Sequence, residues 1–181
     1  MKVPDLLYQA AQKWPDKPAI HDEWGMVTYA ELGVLVKETA TKLRAFGVEP
    51  GLGVGVIGKN SRYFIVQCFA VMDCGAVVMP ISNQMKMDEI ATTMQTTHLH
   101  AVLGDQTGML PFEDSAHSVK FSHQVWQLFF NLNLDHKPFA PHANNPVLIR
   151  YTSGTTGTSK GVILSHEGII ERTEAANKAL Q

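Results

Sequence analysis

Residues 151 to 161 read Tyr-Thr-Ser-Gly-Thr-Thr-Gly-Thr-Ser-Lys-Gly, and no apolar side chain stands between Thr152 and Gly161. Thr152, Ser153, Thr155, Thr156, Thr158 and Ser159 offer hydroxyl donors, and Lys160 offers a point positive charge. Gly154, Gly157 and Gly161 allow the backbone positive φ, so successive N–H groups can point into one concavity. A polyphosphate presents several anionic oxygens that all need donors at once, and this stretch suits it. The competing reading is a solvated hairpin turn, which needs neither so many hydroxyls nor a lysine at its end. A Walker A loop is excluded. That motif places Ser or Thr after Gly-Lys, whereas here Ser159-Lys160 is followed by Gly161.

The loop must be held by its neighbours. Pro146 to Ile149 before it and Val162 to Leu164 after it are apolar runs that read as an entering and a leaving strand. Ser165 is the natural cap of a helix running to the end of the chain. Upstream, Pro4 to Trp14 reads as an amphipathic helix, and Ala19–Asp22 with Met26–Thr28 as a hairpin turning near Gly25. Thr28 and Glu31 form a capping box that opens a helix ending at Gly47. Gly53 to Ile57 is a strand. Its glycines satisfy GxGxxG, and Gly58-Lys59-Asn60-Ser61 approaches a Walker A loop, but a dinucleotide fingerprint must follow a strand rather than lie inside one. The glycines are read as thinning that strand for close packing.

Asn60 or Ser61 caps the next helix, through about Asp73, followed by a strand at Ala76–Met79, a helix at Lys86–Gln95 and a strand at Leu99–Leu103. His98 and His100 would then share one face of an extended chain as two half-exposed histidines, with no acidic or cysteine partner to complete a metal site. From Gly104 to Asn145 the periodicity dissolves. Val125 to Phe130 is either a core strand or a contact surface. Alternating strands and helices predict an α/β layered fold with a largely parallel sheet flanked by helices.

The chain has 181 residues, enough for one domain with a sizeable core, and 45% of them are hydrophobic. A net charge of −2 gives no electrostatic case for nucleic acid or an anionic membrane. Two cysteines, Cys68 and Cys74, lack zinc or redox spacing, which predicts buried thiols in a reducing, cytoplasmic setting. The N-terminus has no signal-peptide core. Tyr63 to Ile81 is long and apolar, yet Gln67, Asp73, Gly75 and Pro80 interrupt it, so a helix followed by a strand is expected rather than a membrane span.

The string Tyr151 to Val162 closely resembles the phosphate-loop motif YTSGTTGxPKGV of adenylate-forming enzymes, the superfamily of acyl-CoA synthetases, firefly luciferase and peptide-synthetase adenylation domains. Ser159 stands where that motif has proline, which removes a fixed φ. VTYAEL, VMDCGAVVMPIS and the Ser165-His166 pair resemble further elements of the family in the same order. The resemblance implies that Thr152, Ser153, Gly154, Thr155, Thr156, Gly157 and Lys160 hold the β- and γ-phosphates of ATP bound with Mg²⁺. It implies attack of a carboxylic acid on the α-phosphate, then transfer to a thiol of coenzyme A or a phosphopantetheine carrier. It also implies that residues 1–181 are an N-terminal portion of the large AMP-binding domain, inactive alone and lacking the catalytic lysine, with truncation allowing self-association. A short non-catalytic nucleotide-binding or scaffolding domain of the same fold is the alternative. An unrelated phosphotransferase would need Glu167 or Glu171 as its carboxylate. Which acid is activated is not written in these residues.

Overall fold

The computed structural model describes residues 1–105, 117–131, 137–152 and 160–179. Helix α1 (Val3–Lys13) leads into a small antiparallel hairpin, β1 (Pro18–Asp22) and β2 (Gly25–Thr28). Helix α2 (Tyr29–Ala45) follows at the predicted box: Thr28 Oγ1 accepts the Glu31 N–H at 3.3 Å and Glu31 Oε2 accepts the Thr28 N–H at 2.8 Å. It stops at Gly47, whose φ of 103° is the left-handed turn that glycine adopts freely. Then come β3 (Gly53–Ile57), α3 (Arg62–Asp73), β4 (Val77–Ile81), α4 (Met87–Thr97) and β5 (Ala101–Gly104). The chain continues through β6 (His117–Lys120), β7 (Val125–Phe130), β8 (Pro146–Thr152) and β9 (Lys160–Ser165) to α5 (His166–Ala179).

Seven strands form one sheet in the order β6-β7-β5-β3-β4-β8-β9. Its four inner strands, β5, β3, β4 and β8, run parallel. The β5–β7, β6–β7 and β8–β9 pairs are antiparallel. The expected α/β layering holds, and the expected parallel sheet holds at the centre while both margins are antiparallel. The reason is local. β7 pairs with β5 and β9 pairs with β8 in opposite directions, and among the described residues no helix joins either pair.

Alternation along the strands divides the core. Val54 and Val56 of β3, Val78 of β4 and Ala101 and Leu103 of β5 pack with Leu43 of α2 and Val71 of α3. Ile57, Met79, Ile81 and Val102 face the other way and pack with Ile90 and Met94 of α4. So α3 and α4 cover opposite faces, as right-handed crossovers leaving neighbouring strands in opposite directions require. The predicted thinning of β3 is visible in its glycines. A Cβ on Gly55 would come within 2.7 Å of Ile81 Cδ1, and one on Gly53 would overlap the ring of Phe139. On the other face Gly58 makes room for Trp126, which is fully buried. Val125 to Phe130 is therefore a core strand, the first of its two readings.

Cys68 and Cys74 are free and buried, and burial pushes their thiols up to about 12 and about 11. Among the described residues no helix is long and apolar enough to cross a membrane. Tyr63 to Ile81 is indeed the end-to-end succession of α3, the Gly75 turn and β4.

The hairpin β1–β2 is locked to α3 by Asp22. Its carboxylate accepts from the Arg62 backbone N–H and from Nε, each at 2.9 Å, and also pairs with the guanidinium Nη2. Arg62 opens α3 directly behind the segment that leaves β3. The Arg62 hydrogen bonds hold the Asp22 carboxyl down at about 2, well under the usual carboxylate range. A depressed acid stabilises the fold above its unfolded-state pKa and loses that contribution as pH falls toward its folded value. Asp22→Asn is expected to cost about 2 kcal/mol at neutral pH. Urea unfolding of the variant should also lack the wild-type decline in stability between about pH 4 and pH 2.

Candidate functional site

The C-terminal ends of β5, β3, β4 and β8 all lie along one edge of the sheet, because the four strands are parallel. Connections leave β3 and β4 there toward opposite faces, which makes that edge a topological switch point where α/β proteins bind ligands. β8 delivers Thr152 to the same edge, and β9 departs from it at Lys160. Thr152 and Lys160 are opposite each other in the antiparallel register, so residues 153–159 are bridged at their neck by a paired ladder. Of the predicted phosphate-binding residues, Thr152 and Lys160 are thus brought together as a strand pair. Ser153, Gly154, Thr155, Thr156 and Gly157 lie outside the described residues, as do Thr158 and Ser159.

The neck is built by cross-strand packing. Gly161 stands opposite Tyr151, and a Cβ there would meet Ile149 Cδ1 at 3.1 Å and Tyr151 Cζ at 3.2 Å. Gly161 was expected to supply positive φ, but it lies in extended strand and has none. It is small so that the Tyr151 ring can lie across it. Partial burial in turn raises the Tyr151 phenol pKa.

At the other end of the hairpin, Ser165 caps α5 as its position suggested, its Oγ accepting the Gly168 N–H at 3.1 Å. His166 is buried, and its Nδ1 accepts the backbone N–H of Val3 at 3.0 Å. Its backbone N–H donates to Asn145 O at 3.1 Å, and Asn145 Nδ2 donates to Glu167 Oε1 at 2.9 Å. His166 is thus used in packing at the helix start. Burial, with Lys2 adding to it, lowers its pKa. Nothing in the spacing of Val3 and His166 signals their contact, since they are 163 residues apart.

The two upstream histidines do not share a face. His98 ends α4 in the left-handed region at φ 57° and is exposed, which rotates the chain before His100. His100 is buried: Nδ1 accepts the Gly53 N–H at 3.0 Å, leaving Nε2–H to donate to Lys137 O at 2.9 Å. It is a packing histidine that ties segment 137–143 to the start of β3. Among the described residues no cluster of three His, Cys, Asp or Glu side chains could hold a metal ion.

The frame is therefore a mixed α/β sheet whose carboxyl edge carries the Thr152–Lys160 strand pair. The AMP-binding enzyme family matches residues 7–180, and the chain belongs to it. Nonribosomal peptide synthetase 5 of Gibberella zeae is 27% identical over 179 residues, which span 97% of this chain and 2% of that protein. The fatty acid–[acyl-carrier-protein] ligase ScoC of Streptomyces coeruleorubidus is 28% identical over 172 residues, 91% of this chain and 33% of that protein. The N-terminal subdomain of Klebsiella oxytoca NpsA, solved in complex with 3-hydroxyanthranilyl-AMSN, shares the fold with a TM-score of 0.71 at 23% identity. That likeness covers 93% of this chain and 42% of the solved one. The chain thus spans a third or less of these two curated relatives.

Ser165→Ala is expected to cost about 1 kcal/mol of unfolding free energy by urea titration, and Ser165→Asp to restore most of it.

Proposed function

We propose that this chain supplies the N-terminal portion of the large AMP-binding domain of an enzyme that activates a carboxylic acid with ATP. The observation that carries the reading is the Thr152–Lys160 pair. It stands at the carboxyl edge of the sheet on either side of a sequence of hydroxyls and glycines with a lysine at its end, in a chain of this family. In the proposed reaction a carboxylate oxygen attacks the α-phosphorus, the bond to the bridging oxygen of pyrophosphate breaks, and an acyl-adenylate forms. Magnesium accompanies the ATP and offsets part of its charge. Thr152, Ser153, Gly154, Thr155, Thr156 and Gly157 donate hydrogen bonds to the β- and γ-phosphates, and Lys160 neutralises charge that grows on the departing pyrophosphate.

The acceptor in the second half-reaction is a thiol. The curated relatives described above, a peptide synthetase and a carrier-protein ligase, favour a phosphopantetheine arm over free coenzyme A. Cytoplasmic chemistry suits two free thiols buried in the core. The acid itself is recognised by parts of the enzyme beyond the loop.

Carboxylate-dependent ATP–pyrophosphate exchange by the whole enzyme tests the reading, with fatty, aryl and amino acids offered in turn. Exchange with one class supports it, and no exchange with any of them overturns it. On the chain itself, Lys160→Ala is expected to weaken pyrophosphate binding by about tenfold in calorimetry while leaving the thermal melt unchanged. Equal affinity of the two proteins would remove Lys160 from the role given to it.

A further inference from the structure

The β8–β9 hairpin is held to the sheet by little of its own length. Its two strands are registered with each other at six pairs, from Pro146 opposite Ser165 to Thr152 opposite Lys160. β4 meets β8 at one pair, Val78 opposite Leu148, whereas β3 and β4 are registered at five. A ribbon attached in this way can tilt about β4 unless its base is anchored elsewhere. Val147 and Ile149 pack β8 into the core, and at its base the hairpin is also tied by His166. Its N–H closes the hairpin onto Asn145 O, and its imidazole takes the first helical N–H of α1, at Val3. That N–H belongs to the turn of a helix that has no partner within the helix itself.

We propose that His166 is a proton-operated latch: neutral, it pins the base of the β8–β9 hairpin to α1, and protonated, it lets the hairpin move. Its importance for activity rests on the phosphate-loop reading, but the latch itself does not. An imidazolium carries hydrogen on both nitrogens, so Nδ1 can no longer accept from Val3, and two N–H groups are left facing each other.

The surroundings set the direction of the switch. His166 lies against a cleft of about 470 Å³ bounded by Lys2, Asn145, Pro146 and Glu167, which gives water a way to the ring. Burial disfavours the imidazolium most, with Lys2 and the N-terminal amine adding to it from α1. Glu167 of α5 and Asp5 of α1 oppose them with smaller effect. Pro50, Gly51 and Gly75, from the turns across the cleft, carry no charge. The folded-state pKa therefore lies below the unfolded one. The latch is fully engaged above the ordinary histidine value and is lost as pH falls through the folded value.

Amide hydrogen exchange and histidine titration by NMR, on the chain without nucleotide, test this. In the wild type the Val3 amide shift should titrate with the same midpoint as His166 Hε1. Protection of the Ile149, Tyr151 and Ile163 amides, corrected for intrinsic exchange, should fall about fivefold between about pH 7.5 and 5.5. His166→Asn places a non-titrating acceptor oxygen near the Nδ1 position and should keep the protection at both pH values. His166→Ala should lack it at both. Wild-type protection that ignores pH, or a Val3 amide that does not follow His166, overturns the latch. Failure of the wild-type chain to bind pyrophosphate would instead sink the phosphate-loop reading and leave the latch standing.

Discussion

Strand β3 has no room for side chains on the α4 face until Ile57. Gly53 lies under the Phe139 ring, and Gly55 under Ile81 and Leu99. These close approaches set how near segment 137–143 and the side chains of β4 and β5 come to β3. The β3 backbone answers the same segment with hydrogen bonds. His100 accepts from Gly53 N–H and donates to Lys137 O, and the Phe139 N–H donates to Gly51 O at 2.7 Å. Segment 137–143 then leads into β8, so the packing over two glycines fixes where β8 begins. A methyl group at Gly55 would press on Ile81, Leu99 and Val102, which belong to a close-packed core.

The opposite face is governed by a different rule. Helices α1, α2 and α3 pack on it in a layer. The ion pair of Arg62 with Asp22 fastens the small hairpin over the start of α3, where the chain leaves β3. Removing water from that pair is compensated by the Arg62 backbone and guanidinium donors and by the Trp24 N–H at 3.1 Å, so the carboxylate has several partners.

Much of this was legible because it is local. The Thr28–Glu31 box, the stop at Gly47, Ser61 as the cap of α3 and the strands flanking residues 153–159 all follow from neighbours a few positions apart. Gly53 and Gly55 of the GxGxxG string lie inside β3, where the sequence reading put them. What was not legible depends on partners far along the chain. Periodicity does not say that β7 returns antiparallel to β5. It does not say that His98 turns left-handed and leaves His100 alone in the core. Nor does it say that Gly161 is small for the sake of the Tyr151 ring rather than for its backbone. The loop's chemistry was read from composition and resemblance, whereas the contact that steadies its hairpin joins the two ends of the chain.

That division has a physical logic. Segments whose donors serve a ligand contribute little to stability, so elements of this kind are anchored by their neighbours. The anchoring falls to the other end of the hairpin, where Ser165, His166 and Asn145 spend their hydrogen bonds on the protein. The β8–β9 ladder links the two ends of the hairpin through its register, from Pro146 opposite Ser165 to Thr152 opposite Lys160.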